Sequence, residues 1–242
     1  MITYPLTDTH QNADLVRQFF DQWGIYRKIV DKNYLFHREA YAAIEAVLTG
    51  FPHPISFLDL GAGDADSTAR ALAHCPLKSY HAVDLSEIAL SLAKKNTDPL
   101  ACEKRFTHAD FFQYVKDLHE TCDVVFIGLS LHHLPLPDKK RFLPELRRLV
   151  APGGCLMFYE PISEPGESRD EVLARWWKVV SAKWTELTET ELSAAKDHVF
   201  GNDYPETIDA YEEMAKAAGF GELAVPFVSG DRLYAVFEFK AP

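Results

Sequence analysis

Three groups of residues in this sequence have the types and spacing to do chemistry. In Phe57-Leu58-Asp59-Leu60-Gly61-Ala62-Gly63-Asp64-Ala65-Asp66-Ser67, a buried-strand pattern runs into a glycine turn and then a helix start. The glycines allow a tight turn and close approach of the backbone to a ligand, and the following helix N-terminus offers free N–H groups. Asp64 and Asp66 nevertheless place negative charge where a dinucleotide site would hold its pyrophosphate. Asp66 also stands where that fingerprint needs glycine for close helix–strand packing, so NAD and FAD are not expected. The second group is acidic. Asp84 ends a strand pattern about twenty residues beyond the turn, the spacing at which a carboxylate meets the two ribose hydroxyls of an adenosine. Asp110 ends a further strand pattern, where it can accept from an adenine amino group while Phe111 covers the ring. The third is the pair His132-His133, whose intrinsic pKa suits proton transfer near neutrality.

A ligand with a nucleoside, no phosphate and a positive centre fits these groups. S-adenosyl-L-methionine is such a ligand. The elements that must position its partners alternate along the chain. Strand patterns at Lys78–Asp84, Lys104–Asp110, Cys122–Leu129 and Cys155–Glu160 are separated by helical patterns, among them one from Asp138 to Val150 with Phe142, Leu146, Leu149 and Val150 on one side. Ser86 is an N-cap candidate, and Ala151-Pro152-Gly153-Gly154 breaks the Asp138–Val150 helix.

Taken in order, Leu58-Asp59-Leu60-Gly61-Ala62-Gly63, Val83-Asp84, Ala109-Asp110-Phe111, Ser130-Leu131-His132-His133-Leu134 and Leu149-Val150-Ala151-Pro152-Gly153-Gly154 resemble the class I S-adenosylmethionine-dependent methyltransferase family, roughly from Ile55 to Phe239. The resemblance implies an α/β, Rossmann-like, seven-stranded and mostly parallel sheet with an antiparallel last strand, completed by strands over Glu222–Phe227 and Arg232–Phe239. It implies S-adenosyl-L-methionine as cofactor, with S-adenosyl-L-homocysteine as product. The expected cofactor contacts are Asp59, Gly61, Ala62, Gly63, Asp84, Leu85, Asp110, Phe111, Leu129 and Ser130. Arg38 is added as a fork for the methionine carboxylate. Many family members carry glycine where this chain has Ala65.

The composition suits one enzyme domain. A chain of 242 residues with 47% hydrophobic content can bury a substantial core. The start of the chain has no basic, apolar leader pattern, and no run is long enough to span a bilayer. Cys75, Cys102, Cys122 and Cys155 form no Cys-x-x-Cys pair, so reduced thiols and a cytoplasmic protein are expected, with no metal. A net charge of −11 opposes nucleic-acid binding. Lys139-Lys140-Arg141 and Arg147-Arg148 read as the solvated face of a helix.

Two stretches exceed the motif-bearing core, which is assigned to residues 51–242. Residues 1–50 carry Leu15, Phe19, Phe20, Trp23, Tyr41, Ile44 and Val47 at helical spacing and read as a helical cap. Residues 162–204 read as a helical insertion, with Val172, Trp176, Val179 and Val180 on one helix and Thr188-x-x-Glu191 as a capping box for the next. In an open α/β sheet the crevice lies beyond the carboxyl ends of the strands, so these stretches are expected to form a cover over the acceptor site. Tyr26, Tyr34, His37, Glu160, Trp176 and Trp177 are the acceptor-binding candidates. His132 and His133 are the catalytic candidates, needed only if the acceptor must lose a proton. The expected activity is methyl transfer to an oxygen or nitrogen of a small molecule. Methylation of protein or RNA, and cofactor binding without catalysis, remain as alternatives, and oligomeric state is open.

Overall fold

A computed structural model describes residues 23–242. Leu15, Phe19 and Phe20 of the expected cap lie outside the described residues. The chain enters as α1 (Trp23–Asp31) and α2 (His37–Leu48), then alternates through β1 (Ile55–Leu60), α3 (Asp66–Leu72), β2 (Leu77–Asp84), α4 (Glu87–Asn96), β3 (Glu103–His108), α5 (Phe111–Asp117) and β4 (Cys122–Gly128). A single 3-10 turn at Leu131–His133 leads into α6 (Leu136–Leu149) and β5 (Val150–Pro161). Two insertion helices follow, α7 (Arg169–Lys183) and α8 (Glu189–Asn202), and then α9 (Ile208–Ala217), β6 (Leu223–Val228) and β7 (Tyr234–Lys240).

The strands form one seven-stranded sheet in the order β3-β2-β1-β4-β5-β7-β6. Strands β1 to β5 pair in parallel, and β7 runs antiparallel to both β5 and β6. Because side chains alternate along a strand, the buried central strands feed two cores. Phe57, Phe126, Met157 and Tyr159 face one side, with Ile44, Leu48, Trp176 and Val180. Leu58, Val125, Ile127, Leu156 and Phe158 face the other, with Phe142, Leu146 and Tyr211. The reversal of strand order beside β1 opens the crevice at the carboxyl ends of β1 and β4.

The local signals for helix starts act through side chains. Ser86 caps α4 by accepting from Ala89 N–H, and Thr188 with Glu191 closes a capping box on α8. Ser168 and Glu171 form a second box on α7. Helix α6 starts two residues earlier than its sequence pattern, because Pro137 lies in its first turn, where a missing N–H costs no hydrogen bond. Strand β5 starts earlier than its sequence pattern and includes both glycines, of which Gly154 serves approach to the neighbouring strand: a Cβ there would lie 2.3 Å from the Asp123 carbonyl oxygen.

One expectation for α6 holds only in part. Lys140 and Arg141 stand exposed as a solvated face would, but Lys139, Arg147 and Arg148 reach back to the fold. Lys139 is fully buried, donating to Tyr204 O and to Glu206 Oε1 (2.9 Å). Arg147 donates to Gly219 O, and Arg148 donates to Val115 O and Leu118 O. These side chains serve carbonyls and a carboxylate that packing takes out of water, so they staple α6 to its neighbours. None of the helices among the described residues is long and apolar enough to cross a membrane.

Candidate active site

Two adjoining cavities lie beyond the carboxyl ends of β1 and β4. The first, about 530 Å³, is lined from the β1 turn by Asp59, Gly61, Ala62 and Gly63, from β2 by Asp84, and from the end of β4 by Phe126, Gly128, Leu129 and Ser130. Tyr26, Tyr41, Thr68 and Ala89 complete it. The turn is built for close approach. Gly61 and Ala62 donate their N–H groups to Val83 O, and Gly61 adopts φ +74°. A Cβ there would meet Ser130 Oγ at 2.5 Å, so only glycine lets the β1 and β4 loops meet.

Asp84 organises the turn from below. Its Oδ2 accepts from Gly63 N–H and its Oδ1 from Ser86 N–H, both at 2.8 Å. Each carboxylate oxygen has a second lone pair, so the group still has acceptor capacity for a pair of hydroxyls. Asp59 is buried beneath the same cavity and accepts from Tyr80 O–H at 2.8 Å. Burial pushes its carboxyl up to about 7, although the bonds from Tyr80 and Thr68 favour the ionised form. These residues suit a nucleoside with a positive centre: hydroxyl acceptors, a buried carboxylate, and a backbone cradle that a Cβ would fill.

Four expected cofactor contacts, Arg38, Leu85, Asp110 and Phe111, do not line this cavity, although Phe111 packs beside the Gly61 turn. Arg38 is exposed on the outer side of α2, in a groove with Glu45, Asp66 and Arg70, so it does not reach the cavity. Asp110 caps α5 by accepting from Phe112 N–H (2.8 Å), and Phe111 packs on Phe142. Leu85 follows β2 and accepts at its carbonyl from His108 Nε2 when that nitrogen carries the proton. Tyr41, Thr68, Ala89, Phe126 and Gly128 line the cavity without having been singled out in the sequence. Of these, Phe126 and Gly128 were legible as the end of a strand beside the crevice.

The second cavity, about 770 Å³ counted with its solvent-open mouth, shares Tyr26 and Leu129 with the first. Leu129 adopts φ +51°, which a side chain other than glycine's rarely takes, and so turns the chain sharply between the two cavities. The walls are apolar: Ile29, Leu35, Ile162, Leu173, Trp176, Trp184, Val199 and Leu233 among others. One end is not. His132, His133, His198 and Asp203 gather there.

That polar end is held from behind. Glu160, fully buried, accepts from the N–H groups of Ser130, Leu131 and His132 at 2.8–3.1 Å and lies 2.6 Å from His132 Nδ1. The expectation that Glu160 contacts an acceptor is therefore corrected: the turn after β4 leaves three amides without partners, and the carboxylate satisfies them. Asp203 lies 3.6 Å from His132 Nε2 and 3.3 Å from His133 Nδ1. Arg169 donates to Asp203 O and Phe200 O, and Tyr204 N–H donates to His132 O. Burial disfavours the charged form of His132, but Asp203 and Glu160 override it and hold its pKa above the usual histidine value. Burial and the neighbouring His132 lower that of His133, and burial takes His198 down to about 3.

The other acceptor candidates divide. Tyr26 and Trp176 line the second cavity, where Trp176 Nε1 also donates to Tyr234 O–H (2.8 Å). Trp177 points away from it and sits under Lys196, because adjacent helical residues diverge by about 100°. Tyr34 stacks behind the wall on Trp184, with centroids 5.3 Å apart, and its O–H accepts from Glu186 N–H. His37 is buried against Tyr41 and Tyr159 rather than in the cavity, and burial takes its pKa down to about 4. His198, Asp203, Trp184 and Tyr234 belong to the cavity and carried no motif signal.

Residues 57–154 match the family model described as a methyltransferase domain. The chain is 28% identical over 110 residues, 45% of its length and 38% of the relative, to dimethylglycine N-methyltransferase of Parasynechococcus marenigrum (strain WH8102). It is 27% identical over 127 residues, 50% of its length and 45% of the relative, to the probable methyltransferase ltbC of Aspergillus luteorubrus. It thus matches less than half the length of these curated relatives. In fold it is similar to magnesium protoporphyrin IX methyltransferase (ChlM) of Synechocystis PCC 6803 with bound SAH, with a TM-score of 0.65, 16% identity, and 96% and 100% of the two chains covered.

Proposed function

Because the chain carries a class I S-adenosylmethionine-dependent methyltransferase domain, we propose that it transfers the methyl group of S-adenosylmethionine to an oxygen or nitrogen of a small, largely apolar acceptor. The observation that carries this reading is the junction of the two cavities at Tyr26 and Leu129. The cofactor, when bound, supplies an activated methyl carbon on a sulfonium. Everything else falls to the chain. Asp84 and the β1 turn bind the nucleoside end, and Asp59 faces the cationic end. Tyr26 and Leu129 set where acceptor and methyl carbon meet. The apolar walls exclude water and align the acceptor, which can supply much of the acceleration for a displacement at an activated carbon.

The second cavity also restricts the acceptor. Its lining among the described residues includes no lysine or arginine, so an acceptor carboxylate would meet no permanently cationic side chain. An amino-acid acceptor such as the one in the cyanobacterial relative's name suits it poorly. An apolar body with one hydroxyl or amine fits better: the body against Trp176, Trp184 and Leu173, the reactive group at the histidine end, where its proton leaves. Internal use of Lys139 and Arg147 reduces the basic surface of α6, and the net charge of −11 opposes a nucleic-acid acceptor.

An untargeted acceptor screen tests the reading, with detection of S-adenosylhomocysteine and mass measurement of the product. Turnover of apolar phenols, enols or amines, and none of amino acids or RNA, is the expected result. Calorimetry that finds no binding of S-adenosylhomocysteine to the folded protein would overturn it.

A further inference from the structure

We propose that His132, His133 and Asp203 bind a divalent transition-metal ion of the zinc type at the polar end of the apolar cavity. Each of the three buried residues offers one ligand atom, and these atoms all lie within 4.8 Å of one another. The separations discriminate between a proton and an ion. A charge-assisted N–H···O bond closes to about 2.7–2.9 Å. Four ligands at about 2.1 Å from a tetrahedral ion stand about 3.4 Å apart. His132 Nε2 lies 3.6 Å from Asp203 Oδ2 and His133 Nδ1 lies 3.3 Å from Asp203 Oδ1, both longer than a charge-assisted bond.

Two further observations point the same way. Glu160 can only accept at His132 Nδ1, so Nδ1 is the nitrogen that donates to it and Nε2 is the one turned toward Asp203. This carboxylate–imidazole arrangement also fixes the tautomer and ring orientation of a metal-binding histidine. Asp203 Oδ1, moreover, is buried and stands 3.3 Å from His133 Nδ1, a long contact for a carboxylate and an imidazole. An ion would bridge it.

The supports are rigid. Tyr204 N–H donates to His132 O at 2.8 Å, Arg169 Nε donates to Asp203 O at 2.7 Å, and Lys139 holds Tyr204 O and Glu206. Three protein ligands leave a fourth position on the cavity side, the pattern of a catalytic rather than a structural site. Only the following consequence rests on the proposed methyl transfer. An ion held there would polarise an acceptor hydroxyl in the fourth position and favour loss of its proton to solvent at the open side of the cavity, which would leave the oxygen as the nucleophile.

The test uses Co²⁺ as a spectroscopic probe and Zn²⁺ as a competitor on metal-stripped full-length protein. Binding of one Co²⁺ per chain, with the intense visible absorption of four-coordinate cobalt and displacement by Zn²⁺, is expected. Asp203→Asn and His133→Gln should each weaken binding at least tenfold, and Glu160→Gln by about 10–100-fold as a second-layer partner. S-adenosylhomocysteine affinity, measured in parallel, should stay within about twofold of wild type in Asp203→Asn and His133→Gln, since the first cavity is untouched. Absence of stoichiometric cobalt binding, or binding that both of those variants retain, overturns the proposal. Failure of the cofactor to bind even the wild type would sink the methyl-transfer reading and leave the metal result intact.

Discussion

The backbone N–H of Tyr204 donates to the carbonyl of His132 at 2.8 Å, which joins the end of the insertion to the loop after β4. Lys139 secures that joint from α6 through Tyr204 O and Glu206, in a setting from which it is fully excluded from water. Removing one partner of such a pair leaves the other charge uncompensated. Lys139→Met is therefore expected to cost about 3 kcal/mol, the lower part of the range for broken buried pairs because Glu206 keeps some exposure. It should also lower acceptor turnover more than cofactor affinity. Urea denaturation and calorimetry read the two effects separately, and unchanged stability would show that the pair is not needed.

Asp84→Ala removes the acceptor of both Gly63 N–H and Ser86 N–H as well as the partner proposed for the ribose hydroxyls. A hydrogen bond to a charged group contributes about 1.5–3 kcal/mol, so S-adenosylhomocysteine affinity should fall at least about tenfold. A folded variant with wild-type affinity would take Asp84 out of the cofactor site.

Gly61→Ala is expected to weaken cofactor binding and lower stability, since φ is +74° and the new methyl would lie 2.5 Å from Ser130 Oγ and 2.9 Å from Ser130 Cβ. Left-handed backbone alone costs an L residue about 1–2 kcal/mol. Adding Ser130→Gly removes the steric part and leaves the backbone part. The double variant should accordingly recover some of the lost melting temperature, whereas strictly additive losses would mean the two loops do not meet as described.

Legibility from sequence followed the range of the interaction. The sheet was readable because β1, β4 and β5 are short apolar runs, buried on both faces, that end in turn residues and alternate with helical patterns. The glycine turn was readable because a left-handed backbone leaves its mark within a few residues. Ala65 belongs to the same logic: it takes φ +54°, which accounts for the glycine that many family members carry there. The histidine end of the second cavity was half readable. His132 and His133 follow a strand, but Asp203 and His198 come from the insertion, and their approach depends on Tyr204, Arg169 and Lys139. Local spacing carries no trace of those bonds. Lys139 misled for the same reason, since a lysine on a charged helix looks solvated until its buried partner Glu206 is known.

Trp176 and Trp177 should respond differently to truncation. Trp176→Ala opens the wall of the second cavity and strips the Tyr234 O–H of its donor, at a cost of about 3–5 kcal/mol for a buried aromatic. Trp177→Ala loses a half-buried contact and the Lys196 cation over its ring, worth about 0.5–1 kcal/mol. If the second cavity receives the acceptor, Trp176→Phe, which keeps most of the volume, will raise KM with little change in cofactor affinity. Equal effects of the two alanine variants on acceptor kinetics would argue that the acceptor binds elsewhere.

Asp59 gives the cofactor site a pH dependence whose sign can be worked out. Its carboxyl is pushed up to about 7 by burial, with Asp84 adding to the rise, while Tyr80 donates to it and Tyr41 and Tyr26 stand close by in their neutral forms. A group whose folded pKa exceeds its unfolded value binds more protons in the folded state. The ligand-free protein is therefore favoured by this group as pH falls from about 7 toward 3.8. Binding runs the other way, because a cationic ligand prefers the ionised carboxylate. Between pH 8 and pH 6 the fraction of Asp59 ionised drops about tenfold, and S-adenosylmethionine affinity should drop by a similar factor. Asp59→Asn should bind more weakly at pH 8 and lose most of this dependence. Calorimetric titration of both proteins across that range decides the matter: parallel pH profiles for wild type and variant would mean that the cationic end of the cofactor is not held by Asp59.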